Sequence, residues 1–382
     1  MNRPDFLGLS TQEPFRVVSF PASQSLHAST ASGGPDAIST GISRLNEAVC
    51  PPSADDIPGV GSDKKTKGLL CGHVTEVFGP PGVGKTSLAL SLASNVLTRG
   101  DGGKVVWIAD TGPPIPERRL REMLLKSAET KTSQKPPEDL ESNLVYFQAP
   151  TLPHLLALLL HPPKGFPPDE TKLVVVDSVS ALFPSYFPNP SEFRARLAQA
   201  KITDKSQVQW LVNRKWNVMS ELANHLLRLA TTRSLAILVI NQTHTRIKGL
   251  PRATLCPVLA GATWESSIYT RIVLYRDFST SHDGESRSDV RFAEVMKRAG
   301  KILPVRLDEN IVPFTIKSDR LQGFDEVASP GEIAPKEVEE TSFSQRKRKV
   351  DEIADSQDED DSDGEFGWTE GDNASLLEGG EE

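Results

Sequence analysis

Between His73 and Leu97 the chain reads HVTEVFGPPGVGKTSLALSLASNVL. Val74 to Phe78 is rich in β-branched and aromatic side chains, the pattern of a buried strand. Gly79-Pro80-Pro81-Gly82-Val83-Gly84-Lys85-Thr86 then fits G-x-x-x-x-G-K-[ST] at every fixed position. Behind it Leu88, Leu90, Leu92, Ala93 and Val96 recur at helical spacing. A glycine-rich loop between a strand and a helix can curl its N–H groups inward onto phosphate oxygens, and the positive helix end adds to that field. Lys85 has the reach for β- and γ-phosphates, and the Thr86 hydroxyl can hold Mg²⁺, with Ser87 following in the first helical turn. The stretch implies a site for a nucleoside triphosphate.

The 382 residues allow one large α/β domain with extensions, or two modest domains. Cys50, Cys71 and Cys256 are scattered, with no C-x-x-C and no histidine at metal-ligand spacing, which suits buried thiols in a reducing compartment. The best candidate for a membrane span, Leu155 to Leu160, is too short to cross a bilayer. The N-terminus has no basic-then-apolar leader, so a cytosolic or nuclear location is expected. The net charge of −8 is unevenly placed. Asp351 to Glu382 carries 14 acidic residues and no lysine or arginine, so without that tail the body is +6. A mildly basic body suits a polyanionic partner without demanding one.

Residues 1–37 read as a flexible segment, with a short strand conceivable at Phe15 to Phe20. Ser39 to Asn46 looks like a capped turn into a helix ending near Val49, and Pro51 to Lys67 is a polar loop. Lys104 to Asp110 is a second buried strand, followed by a proline-bearing loop and a helix from Glu117 to about Ala128. After a polar linker come a strand at Leu144 to Gln148 and a helix at Leu152 to His161. Leu173-Val174-Val175-Val176-Asp177 has the form of a central parallel strand ending in a carboxylate suited to Mg²⁺. Pro184 to Gln209 reads as irregular, Val212 to Thr232 as an amphipathic helix, and Leu235 to Ile240 as another buried strand ending at Asn241-Gln242. Thr243 to Pro257 reads as a basic loop. Ser267 to Tyr275, Arg291 to Arg298 and Ile311 to Ser318 read as strands of an antiparallel edge. The alternation predicts an α/β fold, a mostly parallel sheet with helices on both faces. Residues 38–325 form this core, and residues 326–382 a disordered tail with an acidic end.

G-P-P-G-x-G-K-T also occurs in AAA+ machines, but those place a glutamate after the second-motif aspartate, and here Ser178 follows Asp177. The order of motifs resembles the RecA-like recombinase superfamily, particularly its eukaryotic recombinase paralogues. Thr40-Gly41 with Leu45 resembles that family's T-G-x-x-x-L segment, and Thr75-Glu76 its approach to the P-loop. Asn241-Gln242 resembles its γ-phosphate-sensing N-Q, and Leu259 to Arg276, with Trp264 and Thr270-Arg271, the strand after its second DNA loop. The resemblance implies a RecA-like P-loop NTPase core binding ATP and Mg²⁺. Gly79 to Ser87 would hold the nucleotide, Thr86 and Asp177 the metal, and Lys85 and Gln242 would serve catalysis. Arg118, in Pro116-Glu117-Arg118, would stack on the base or be an ordinary surface arginine. Arg194, Arg196, Arg246, Lys248 and Arg252 fall where the family's two DNA-binding loops lie, and could neutralise backbone phosphates there.

The chain also departs from the pattern. Active recombinases carry a glutamate where Thr111 falls, leaving Asp110 or Glu117 as the nearest carboxylates to serve as base. No F-x-x-A self-polymerisation motif is found, nor room for a helical N-terminal DNA-binding domain. The expectation is an ATP-binding accessory protein of homologous recombination with weak or absent hydrolysis. Its partners would be single-stranded DNA, another paralogue and the main recombinase. A DNA-stimulated motor ATPase and a nucleotide-stabilised scaffold are the alternatives. Arg346-Lys347-Arg348-Lys349 suits a nuclear import signal, Ser344-Gln345 and Ser356-Gln357 suit damage-kinase modification, and Phe366, Trp368, Leu376 and Leu377 stand as apolar points in the acidic run.

Overall fold

The computed structural model of the chain describes residues 36–50, 67–110, 115–131, 136–187, 190–201, 204–246, 254–276 and 289–324. The expected N-terminal segment up to residue 35 and the tail from residue 325, with its basic cluster and acidic end, lie outside the described residues.

In chain order, β1 (Ala37–Ile38) and α1 (Ser43–Val49) precede β2 (Leu69–Leu70) and β3 (Val74–Phe78). Then follow α2 (Lys85–Leu97), β4 (Lys104–Ala109), α3 (Glu117–Lys131), α4 (Pro137–Glu141), β5 (Leu144–Gln148), α5 (Leu152–Leu160) and β6 (Thr171–Asp177). The second half has α6 (Pro190–Gln199), α7 (Lys205–Arg233), β7 (Ala236–Asn241), β8 (Thr243–Arg246), β9 (Thr254–Pro257) and α8 (Ala262–Ser267). It closes with β10 (Thr270–Tyr275), β11 (Arg291–Arg298), β12 (Lys301–Ile302), β13 (Ile311–Ile316) and β14 (Leu321–Gly323).

The main sheet runs β5-β4-β6-β7-β3-β10-β11-β13-β14, with β12 on β11. From β5 to β10 every neighbour is parallel. The run Leu173-Val174-Val175-Val176 shows why its strand is apolar throughout. Leu173 and Val175 pack into a core shared with Leu88, Leu92 and Leu120, whereas Val174 and Val176 face Leu155, Leu222 and Leu226. A period of two sends successive side chains to opposite faces, so a sheet covered on both needs apolar residues at every position.

Several boundaries differ from expectation. β10 joins β3 in parallel and only then turns to antiparallel pairing with β11, so the antiparallel arm is β11 to β14. Residues 262–267, part of which had read as strand, form α8 instead, with Gly261 before it and buried Trp264 inside. The stretch read as irregular holds α6, and α7 begins at Lys205 rather than Val212 because the Asp204 side chain accepts from Ser206 N–H at 3.0 Å and caps it. The basic loop is a hairpin at its base: Thr243 to Arg246 pairs with Thr254 to Pro257. α3 continues to Lys131, and α4 replaces part of the expected linker.

Candidate nucleotide site

β3, β4, β6 and β7 are parallel neighbours in one sheet, so the residues after their C-terminal ends share one edge. That edge is where ligands of open α/β sheets bind. Here it gathers Gly79, Asp110, Asp177 and Gln242. The phosphate loop leaves β3 through Gly79 at φ 158°, where a Cβ would stand 2.2 Å from the Leu274 carbonyl oxygen. Gly84, at φ 106°, caps α2, and a Cβ there would meet Ile316 Cδ1 at 2.4 Å. Only glycine satisfies both the turn and these close approaches. Val83 is buried under the loop, whereas Pro81 and Gly82 are exposed.

Lys85 folds back over the loop, and Nζ donates to Gly79 O at 2.6 Å and Pro80 O at 2.9 Å. The Thr86 hydroxyl donates to Asp177 Oδ2 at 2.9 Å, joining residues 91 apart in sequence. A hydroxyl and a carboxylate so placed beside a phosphate loop are the hard oxygen donors that suit Mg²⁺. Burial pushes the Asp177 carboxyl up; the Thr86 hydrogen bond opposes this, the Asp110 charge adds to it, and Lys85 opposes it again. Burial lowers the Lys85 ammonium while Asp177 pulls it back up.

A protonated carboxyl is a poor cation ligand, and that of Asp177 takes up its proton above the ordinary aspartate range. Mg²⁺-supported nucleotide affinity is therefore expected to fall on acidification, starting at a higher pH than for a solvated aspartate. Calorimetric titration from about pH 7.5 to about pH 5, with Asp177→Asn as control, checks this. The Asp177 contribution should be lost in the variant, leaving only the dependence of the triphosphate's own terminal phosphate, and a pH profile identical to that of the unaltered protein would remove Asp177 from the cation site.

Asp110 sits beside Asp177: its N–H donates to Asp177 O at 3.0 Å, and its Oδ2 accepts from both N–H and Oγ of Ser178 at 3.3 Å. Glu117 is exposed in the first turn of α3. Thr111 lies outside the described residues. Gln242 is exposed just past β7, its N–H donating to Ser180 Oγ at 2.8 Å and its carbonyl accepting from Val258 N–H at 2.9 Å. It therefore links the segment after Asp177 to the root of the β8–β9 hairpin.

Arg118 is exposed and pairs with Glu122 at 3.0 Å along its own helix. Arg194 and Arg196 are both exposed on α6. As residues i and i+2 of a helix they point to different sides of it. Arg246 ends β8, its backbone in register with Thr254, whereas Lys248 and Arg252 lie outside the described residues.

The sequence reading missed a hub beneath the loop. Glu76 in β3 is fully buried, and its Oε1 accepts from Asn241 Nδ2 at 2.8 Å and Trp264 Nε1 at 2.9 Å. Its Oε2 accepts from Arg271 Nε at 2.5 Å. Asn241 also exchanges hydrogen bonds with the Leu259 backbone, 3.1 Å from its amide and 3.3 Å to its carbonyl oxygen. The strand feeding the phosphate loop is thereby tied to the return limb of the hairpin. Thr75-Glu76, Asn241-Gln242, Trp264 and Thr270-Arg271 were each visible as separate motifs, but nothing local showed that they meet.

The chain is 26% identical over 319 residues to the DNA repair protein rhp55 of Schizosaccharomyces pombe, covering 71% of this chain and 89% of that protein. It is 28% identical over 224 residues to the DNA repair protein RAD51 homolog 3 of Dictyostelium discoideum, covering 53% and 51%. It is likewise 28% identical over 196 residues to the DNA repair and recombination protein RadA of Aeropyrum pernix, covering 50% and 51%. The Rad51 family model matches residues 63–257, just over half of the sequence, from ahead of the phosphate loop to the end of the β8–β9 hairpin. This chain belongs to the Rad51 family.

Proposed function

We propose that the protein is an ATP-binding accessory factor of homologous recombination and double-strand-break repair, acting in the nucleus with a recombinase and a second paralogue on single-stranded DNA. The observation that carries the reading is the Thr86–Asp177 contact at 2.9 Å beside Lys85, in a chain homologous to rhp55 and RAD51 homolog 3. Thr86 and Asp177 would hold Mg²⁺, which when bound neutralises charge on the β- and γ-phosphates. Lys85 would move from its loop carbonyls onto phosphate oxygens. Gln242 would couple the occupied site to the hairpin, whose basic residues Arg246, Lys248 and Arg252 are candidates for DNA phosphates together with Arg194 and Arg196.

Hydrolysis is expected to be weak. The Asp110 carboxylate is engaged by Ser178, and Glu117 is exposed on the first turn of α3. General-base assistance contributes about 10²–10⁴-fold, so turnover should lie at least about a hundredfold below that of a relative with a glutamate in place of Thr111. Phosphate release measured with and without single-stranded DNA, beside nucleotide binding on the same sample, tests this. Tight binding with little turnover supports the accessory reading. Brisk, DNA-stimulated turnover would make the protein a motor and assign the base to Asp110 or Glu117.

A further inference from the structure

Between β11 and β13 the chain turns apolar side chains to solvent. Ile302, Val305 and Leu307 are 78%, 62% and 41% exposed, three large apolar groups within six residues. The backbone that carries them is nevertheless held. Ile302 and Lys301 lie in register with Lys297 and Arg298 as β12. Leu303 N–H donates to Met296 O at 2.8 Å, and its side chain packs inward on the core. Arg306 N–H donates to Glu294 Oε1 at 2.7 Å, and Asn310 N–H to Leu307 O at 2.8 Å. Arg306 also takes φ 63°, a left-handed conformation that costs energy in a residue with a side chain. The apolar face is thus presented by a fixed backbone, and covering it with another apolar group is favourable.

The path of the chain suggests what covers it. β13 begins directly after this segment, and β14 returns antiparallel to it, with Gly323 opposite Phe314 and Phe324 N–H donating to Pro313 O at 3.3 Å. The chain therefore leaves β14 headed for the start of β13, where the segment ends. Charge favours the same occupant. From Lys301 to Leu307 there are two exposed cations, Lys301 and Arg306, and no acid; Asp308 and Glu309 follow. The two cations bracket Ile302 and Val305. Further along, Glu365 and Glu370 bracket Phe366 and Trp368 at the same separation of five residues, inside the acidic run that has no lysine or arginine. The 40 residues 325–364 join the two stretches. Linkage raises the local concentration of one around the other, so a contact too weak between separate molecules can form within one.

We propose that residues 365–370 dock on the 302–307 face of the same chain as a built-in cover. Phe366 and Trp368 lie against Ile302, Val305 and Leu307, and the two glutamates face Lys301 and Arg306. The aromatic groups supply the apolar area, and the charges set register and orientation.

Photo-cross-linking of the full chain tests this, with p-benzoylphenylalanine in place of Gly367, between the two aromatic anchors. Cross-links mapped by mass spectrometry should fall on residues 301–309 of the same molecule, at a yield independent of protein concentration. Ile302→Ser with Val305→Ser, both at exposed positions, should cut that yield about tenfold or more. Lys301→Glu with Arg306→Glu should cut it about threefold or more, and adding Glu365→Lys with Glu370→Lys should restore it, which a loss through misfolding would not allow. Cross-links elsewhere on the chain, or a yield indifferent to Ile302 and Val305, overturn the proposal. Cross-linking between isotopically heavy and light copies overturns it too, and would assign the face to a second molecule.

Discussion

Replacing Lys85 by alanine should lower nucleotide affinity by about two to three orders of magnitude, the loss expected when a partly buried ammonium no longer donates to phosphate. The fold should lose at most about 1 kcal/mol. The asymmetry follows from where the side chain rests. Nζ donates to Gly79 O and Pro80 O, an intraloop arrangement beside exposed Pro81 and Gly82 that water can partly replace. Burial already disfavours its charge, and Asp177 only partly compensates, so phosphates restore what burial removes. Calorimetry for affinity and a urea midpoint for stability separate the two effects. Unchanged affinity would place the nucleotide elsewhere. A large fall in stability would make Lys85 a structural strut of the loop.

The second large effect lies at Glu76. Glu76→Ala should destabilise the protein by about 3–5 kcal/mol, the range for breaking a buried ion pair by removing one partner. Arg271, with 13% of its side chain exposed, would keep only the longer contact with Glu265 at 3.7 Å, and Trp264 Nε1 would lose an acceptor. Asn241 would keep only Leu259. Glu76→Gln keeps one carbonyl oxygen and should cost less. Urea unfolding of both variants checks the ranking. A Glu76→Ala midpoint within error of the unaltered protein would mean that the hub contributes specificity of arrangement rather than stability.

These two residues show what could be read from sequence and what could not. Lys85 was legible because every determinant of its loop lies within a few residues: glycines, the apolar strand before, the helical spacing behind. Asp177 could be anticipated from its apolar strand and from resemblance, yet its contact with Thr86 depends on β6 and β3 lying two places apart in the sheet. The Glu76 hub was illegible because its partners lie 165, 188 and 195 residues away. Strand direction was equally hidden: the residues of β10 pattern alike whether paired in parallel or antiparallel, and only the path of the chain decides. α7 began earlier than its apolar periodicity suggested because a capping aspartate, not a buried face, starts it. The β8–β9 hairpin looked like a loop because β8 is polar throughout and β9 is four residues long and ends in Pro257.

The contact of Ile316 with Gly84 has a consequence for how the chain may be shortened. β13 and β14 come after every recognisable nucleotide motif, so a fragment ending near residue 310 would look complete to any motif search. It would nevertheless lack the side chain that roofs the cap of α2, the Lys317 carbonyl that anchors Arg119 and the strand that borders β11. Such a truncation would carry an intact signature on an open, partly unwalled cradle.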